Sequence, residues 1–475
     1  MQRLRDELNR LKGEQGQPTI RPQTKPEPAD ASDHSSERER HVPKPRTRGR
    51  KVDQITIHQT RLLTVDPARL PPDAEFKDYV PSLVQDVRLL AENTRFLKEQ
   101  FYSATEQQTY LAVLPPGYQG AFGPGLRALV LVLAHACQMT EPKIRAFLQH
   151  LGIVIADRTI SNLLIKDQDT FHAEKDAVYT AGLQSGPWQH IDDTATRVDG
   201  QNHHCHVVDN PLHTTYITTE SKDRLTVLDV LRGGQPRCFR LNAEAMGYLE
   251  LAGVSGLTRQ KLTSLPPDQD LDEATLQQLL DTHLPGLGVQ QRKWILDATA
   301  VAADHAQTEW PIVRLLICDG AGQFTGVTED LALCWVHEGR HYKKLVPYLA
   351  LHRTLLSDFL KEFWEFYDDL WAYRQNPTPD ERVRLTGAFD RLFATVTGYR
   401  ALDERIAKTR AKKANLLLVL TYPEIPLHNN AAELGVRQRV RKRDISFGPR
   451  SAEGTQAWDT FMSLVATTRK LGVDF

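Results

Sequence analysis

The sequence predicts an α/β protein, a sheet core interrupted by helical insertions and preceded by a small β-rich module and a helix-turn-helix. Three observations carry this. From Pro187 the segments PWQHIDDTATRV, HHCHVVDN and HTTYITTE read as strands, rich in β-branched residues and separated by Asp-Gly and Asn-Pro turns. The pattern breaks off at residues 241–308, Leu-rich and helical in texture, and resumes in PIVRLLICDG and LALCWV. A second helical stretch, 350–415, carries Phe359, Phe363, Trp364, Phe366, Tyr367 and Trp371, an aromatic stripe suited to a core.

The remaining elements follow in chain order. In residues 1–12, Leu4, Leu8 and Leu11 share one helical stripe, as in an amphipathic turn or the end of a short coiled coil. Residues 13–51 turn to Pro, Ser, Gln and charge and finish in KPRTRGRK. This is the composition of a disordered linker, in which Arg46, Arg48 and Arg50 either touch DNA phosphates or are simply solvated. QITIHQ, LVQDVRLL, TRFLKEQFY and TYLAVL predict the β-rich module over 52–120. Within the helical region 121–180, EPKIRAFLQHLGIVIADRTISNLLIK reads as helix, turn at Gly152 and second helix. As a helix-turn-helix it would offer Arg158 and Lys166 to a DNA groove; an ordinary helical hairpin fits the same pattern. The core then divides into 187–240 and 309–349, with the insertions 241–308 and 350–415 between its parts and a helix with a basic region in 416–475.

Composition narrows the function. At 475 residues with 40% apolar content the chain can bury several cores, and its longest apolar run, Ala128 to Ala134, is far shorter than a membrane span of about 20 residues. No membrane partner is expected. The formal net charge of −1 conceals a local surplus, because Arg437 to Arg450 carries six bases against the single acid Asp444. Cys137, Cys205, Cys238, Cys318 and Cys334 show no CxxC spacing, which excludes a zinc ribbon and a disulfide framework and suits a reducing cytoplasm.

Into the basic stretch PLHNNAAELGVRQRVRKRDISFGPR is set one carboxylate, Glu433. Asn430 as N-cap would start a helix that aligns Glu433, Arg437 and Arg441 on one face, where Glu433 either pairs with Arg437 or faces a cation and a phosphate. Asp319, ending the strand LLICDG, and Asp192 or Asp193, in HIDDT, are the acids that could join it. Acids delivered from strand, strand and helix can bind magnesium through oxygen ligands, and two such ions serve phosphodiester displacement.

HIDDT, CDGAGQF, CWVHEGRHYKKL and PLHNNAAELGVR stand in the order of the motifs of bacterial transposases of the insertion-sequence-66 family. The resemblance runs from the helix-turn-helix region to the C-terminus, about three quarters of the chain. It implies an RNase H-like core with a DDE triad made of Asp192, Asp319 and Glu433, and it selects Asp192 over Asp193. It also implies two Mg²⁺ ions with Mn²⁺ as a substitute, transposon ends and target DNA as partners, a homodimer or larger synaptic assembly, and a need for other element-encoded proteins as an open question. Arg437, Arg441, Lys442, Arg443, Arg340 and His337 would then lie near phosphates, although His337 equally suits a satisfied core histidine. Family members commonly carry a Cys-rich segment ahead of the helix-turn-helix, and this chain has no cysteine before Cys137. A non-catalytic DNA-binding derivative of such an enzyme is the first alternative.

His337 to His341, HEGRH, also matches the H-E-x-x-H zinc protease pattern, with Glu362 or Glu365 as a third ligand. Gly339 weakens the helix that must hold both histidines.

Overall fold

The computed structural model describes residues 55–118, 120–309 and 312–475. The leucine stripe and Arg46, Arg48 and Arg50 lie outside the described residues.

The fold is α/β, organised on one mixed five-stranded sheet of order β5-β4-β3-β8-β9. β3 (Gln189–Val198), β4 (Gln201–Asp209) and β5 (Thr214–Thr219) form an antiparallel meander. Asp199 and Gly200, both at positive φ, make the tight turn that joins β3 to β4, as their Asp-Gly signature requires. β8 (Leu315–Cys318) then pairs parallel to β3, and β9 (Asp330–Leu333) pairs parallel to β8. Buried on both faces, β8 is the apolar run LLIC.

The elements outside this sheet are mostly helical. Between residues 55 and 99 the chain is almost wholly exposed and forms no strand; ITIHQ and LVQDVRLL meet no second layer among the described residues to bury them. What the β-rich stretch does contain is the hairpin of β1 (Gln100–Ser103) and β2 (Gln108–Leu111). α1 (Pro124–Leu131), α2 (Glu141–His150), α3 (Asp157–Ile165) and α4 (Asp169–Gln184) follow, α2 and α3 joined through Gly152 at φ +80°. α5 (Arg224–Leu231) leaves the meander. The first insertion consists of α6 (Ala243–Leu251), α7 (Gly256–Leu262), α8 (Glu273–His283) and α9 (Val289–Ala306), with the short pair β6 (Phe239–Arg240) and β7 (Asp270–Leu271). After β9 come α10 (Trp335–Lys343), α11 (Ala350–Gln375), α12 (Pro379–Leu392), α13 (Arg400–Arg410) and α14 (Lys413–Leu416), and finally α15 (Asn430–Ser446) and α16 (Ala452–Leu471).

Two large cores flank the sheet. One joins Ile191 and Val208 to the first insertion; the other joins Leu315, Ile317 and Ala332 to Trp335 and to Phe359, Phe363, Trp364, Phe366 and Tyr367 of α11, while Trp371 of the same stripe is exposed. Edge strand β5 is covered by α16, whose Asp459, Ser463 and Thr467 accept the backbone N–H groups of Thr218, Tyr216 and Thr214. Side chains four residues apart on a helix meet N–H groups two apart on a strand, so the open edge is closed.

Candidate carboxylate site

Asp192 and Asp319 are brought together by strand register. His190 is paired with Ile317 across the parallel β3-β8 ladder, so two residues further on Asp192 comes level with Asp319 just beyond the end of β8. Adjacent side chains on a strand point to opposite faces. Asp193 therefore turns to the face of the sheet that packs on the first insertion, and its carboxylate accepts Lys222 Nζ at 3.1 Å and Gln323 Nε2 at 2.7 Å from the loops after β5 and β8. Asp192 faces the other way, toward α15.

Glu433 enters on the first turn of α15, and the anchor of that helix is Asn429. Its Oδ1 meets His190 Nδ1 at 2.9 Å, its Nδ2 donates to Ile191 O at 2.8 Å, and its N–H donates to Cys334 Sγ at 3.2 Å. One residue thus ties the helix start to β3 through its side chain and to the start of α10 through its backbone N–H. Helix capping by Asn430 is not what the structure uses: Asn430 is the first helical residue, and Asn429, in the cap position, spends its side chain on β3 instead. Gly435 lets the helix come this close, since a Cβ there would stand 2.5 Å from Val207 Cγ1; Tyr216 Oη also donates to Gly435 O at 3.1 Å. Neither Asn429 nor Gly435 was singled out in the sequence, because the partners that give them their roles are far away in the chain.

Glu433 does not pair with Arg437. Its partner is Arg340 of α10, which donates through Nη1 to Oε1 and Nη2 to Oε2, both at 3.2 Å, while His337 Nδ1 stands 3.4 Å from Oε1. α10 is seated by Trp335, buried among Phe363, Phe366, Phe389 and Phe393, and by Gly339, where a Cβ would meet Trp364 at 2.6 Å. The glycine that weakens this helix intrinsically is what allows it to dock.

The carboxylates sense one another. Burial first, then the charges of Asp319, Glu433 and Asp193, push Asp192 up to about 7, against the opposing hydrogen bond from the Asp193 N–H. His337 is held below the usual imidazole range, chiefly by burial and also by Arg340, with Glu433 and Asp319 acting in the opposite sense. Asp192 therefore lies within electrostatic reach of Asp319 and Glu433, although among the described residues the three carboxylates do not form a group whose oxygens all lie within 4.8 Å of one another.

The sequence model of the Transposase IS66 family matches residues 298–457, which include Asp319 and Glu433 and leave out Asp192. "Uncharacterized protein y4jO" of Sinorhizobium fredii is 33% identical over 303 residues, covering 62% of this chain and 91% of that protein. The chain belongs to the IS66 transposase family. No solved structure matches it.

On this IS66-family chain the predicted phosphate contacts fall into separate groups. Arg437 and Arg441 are exposed on α15, one and two turns beyond Glu433. Arg158 and Lys166 are exposed at the two ends of α3. Arg443 is partly covered and donates to Ala195 O. Lys442 is a correction: at 4% exposure its Nζ donates to Ala134 O at 2.5 Å and lies over the Trp458 ring, facing the helical core and not a solvent-borne phosphate. Helical period explains it, because Arg441 and Lys442 lie about 100° apart on α15.

The zinc protease pattern also dissolves. Glu338, 3% exposed, is occupied by Arg405, by Lys412 at 3.0 Å and by Thr409 Oγ1 at 2.7 Å, so it is an ion-paired tie between α10 and α13 and no free base. Glu362 and Glu365 are exposed on α11. Among the described residues, the group of potential metal ligands that includes His337 contains neither His341 nor these glutamates. No described helix is long and apolar enough to cross a membrane.

Proposed function

We propose that this chain cuts transposon ends and joins them to target DNA by phosphoryl transfer at Asp192, Asp319 and Glu433. The observation that carries the reading is their convergence: two acids level with each other on parallel neighbours β3 and β8, and a third delivered by a helix pinned to β3 through Asn429. Three antiparallel strands continued by two parallel ones, with a carboxylate helix laid across them, support an RNase H-like core. Family membership supports the reaction class.

In this mechanism Asp192, Asp319 and Glu433 would be the carboxylates that hold divalent cations. Two Mg²⁺ ions, or Mn²⁺ in their place, would supply stabilisation of the attacking and leaving oxygens of an in-line displacement. The residues do the rest. Asp193, fixed by Lys222 and Gln323, keeps β3 in the rotation that turns Asp192 toward α15. Arg437 and Arg441 neutralise phosphate along the strand that leads to Glu433. Water attacks a phosphodiester at the transposon end, leaving a 3′-hydroxyl and a 5′-phosphate; that hydroxyl then attacks a target phosphodiester, forming one P–O bond as another breaks. Synapsis of two ends calls for at least a homodimer. α2 and α3 serve as the helix-turn-helix, a role favoured by the exposure of Arg158 and Lys166 beside the apolar stripe that docks α3.

The test is labelled transposon-end DNA with the purified full chain and Mg²⁺. Nicking that disappears with a chelator and returns with Mg²⁺ or Mn²⁺ is expected. End binding without nicking would mean a non-catalytic derivative.

A further inference from the structure

We propose that Cys334, His337 and Glu433 form a site for a thiophilic divalent cation of the zinc class, distinct in chemistry from the oxygen-ligand centre and sharing only Glu433 with it. The ligand atoms of the three residues all lie within 4.8 Å of one another. Neighbouring ligand atoms of a tetrahedral zinc site lie roughly 3.3–3.7 Å apart, given bonds of about 2.0–2.3 Å.

The local structure supplies reasons for each ligand. Cys334 is the residue just before α10, so its sulfur stands at a helix N-terminus, and it already accepts the Asn429 N–H. Burial pushes the Cys334 thiol up to about 12, against the hydrogen bonds from the N–H groups of His337, Asn429 and Val336, so the sulfur becomes a thiolate ligand only when a cation replaces its proton. His337 is the unusual member. Its Nε2 lies 3.0 Å from Arg340 Nη1, and a guanidinium can only donate, so the neutral ring carries its proton on Nδ1. That Nδ1 is buried with no hydrogen-bond partner, yet it stands 3.4 Å from Glu433 Oε1. A buried Nδ1 that stands 3.4 Å from a carboxylate oxygen without a hydrogen bond to it is where a cation would bridge the two.

The exchange balances as follows. The cation bonds to Cys334 Sγ, His337 Nδ1 and a Glu433 oxygen; the thiol proton leaves to solvent, and the imidazole proton passes from Nδ1 to Nε2. One proton is released per ion bound. With Nε2 protonated, Arg340 loses its acceptor on His337 and its hold on Glu433, and its half-exposed side chain turns outward. The fourth position stays open to water or a phosphate oxygen. Sulfur and nitrogen ligands select zinc, cobalt or cadmium over magnesium. An ion of this class withdraws Glu433 from the proposed phosphoryl-transfer centre and so acts against Mg²⁺.

Co²⁺ is the probe, because cobalt–thiolate bonding gives a charge-transfer band that oxygen ligands do not. The metal-free full chain titrated with Co²⁺ should develop that band with one equivalent and lose it to one equivalent of Zn²⁺. Cys334→Ser should abolish the band, Glu433→Gln and His337→Ala should weaken it, and Cys137→Ser, at an exposed thiol outside the site, should retain it. Arg340→Gln should tighten Co²⁺ binding. If Cys334→Ser unfolds, Glu433→Gln, in a partly exposed residue, decides the matter. Absence of the band in the wild type, or a band that survives in both Cys334→Ser and Glu433→Gln, overturns the proposal. The readout needs neither DNA nor turnover, so failure here leaves the nicking reading untouched, and failure of nicking leaves this site standing.

Discussion

Arg340 grips Glu433 through two parallel hydrogen bonds of 3.2 Å each, so the acid proposed to hold a metal ion already carries a cation supplied by the protein. A guanidinium in that position holds a partly buried carboxylate in a fixed orientation. It also competes with any ion that comes to the same oxygens.

Removing that competitor should strengthen cation binding. Arg340→Gln is expected to lower the Mn²⁺ concentration for half-saturation, read by electron paramagnetic resonance without DNA, by about 3- to 10-fold. The pair is partly exposed, and an interaction of that kind contributes roughly 1 kcal/mol. Unchanged Mn²⁺ binding would mean that Arg340 and the ion occupy different oxygens.

Gly435 sets the depth of α15 on the sheet. Gly435→Ala places a methyl where Val207 Cγ1 stands 2.5 Å away, so the helix or the strand must give. Overpacking of this sort costs about 1–3 kcal/mol. Urea denaturation should register that loss, and nicking should fall further than stability because Glu433 rides on the displaced turn.

Asp459 links three elements, accepting Thr218 N and Oγ1 and pairing with Arg439 at 3.1 Å. Arg439 is 1% exposed, so Asp459→Ala strands a buried guanidinium. A loss of about 3–5 kcal/mol in urea denaturation is expected, the penalty for breaking one side of a buried pair. A loss below about 1 kcal/mol would show that Arg439 finds another acceptor.

Acid should weaken the fold through His213. Burial, reinforced by Lys470, lowers its imidazole to about 4, while the unfolded chain titrates near 6.5. Between those values the unfolded state binds the extra proton, so stability is full above about 6.5 and falls as pH drops toward 4, by roughly 3 kcal/mol. His213→Gln should show a smaller loss between pH 6.5 and 4.5 than the wild type when both are followed by urea denaturation. Equal losses would assign the acid sensitivity elsewhere.

Much of this site was legible because it rests on local patterns. Strand texture located β3, β4, β5, β8 and β9, the Asp-Gly signature gave the turn at Asp199 and Gly200, and a 3.6-residue period put Arg437 and Arg441 on the exposed side of α15. What stayed hidden depends on long-range partners. Glu433 reads as the i,i+4 partner of Arg437, yet its actual partner is Arg340, 93 residues away in sequence. Asn430 reads as a cap because the tie from Asn429 to β3 spans 238 residues. Asp192 and Asp193 are alike in local pattern and the family resemblance alone selects Asp192; the rotation of β3 gives the physical difference, a residue facing α15 against one held by Lys222 and Gln323. Lys442 belongs to a basic run by composition and to the core by packing against Trp458.

The claim that Asp192, Asp319 and Glu433 act as one centre is tested most directly by Mg²⁺-dependent nicking of transposon-end DNA in Asp192→Asn, Asp319→Asn, Glu433→Gln and the Asp319→Asn/Glu433→Gln double variant, each checked for folding. The account predicts that every single variant loses roughly 10³-fold in rate, keeps its affinity for the ends, and that the double variant falls no further, because the three act as a unit. Full nicking by Glu433→Gln, or losses in single variants that multiply in the double one, would contradict it.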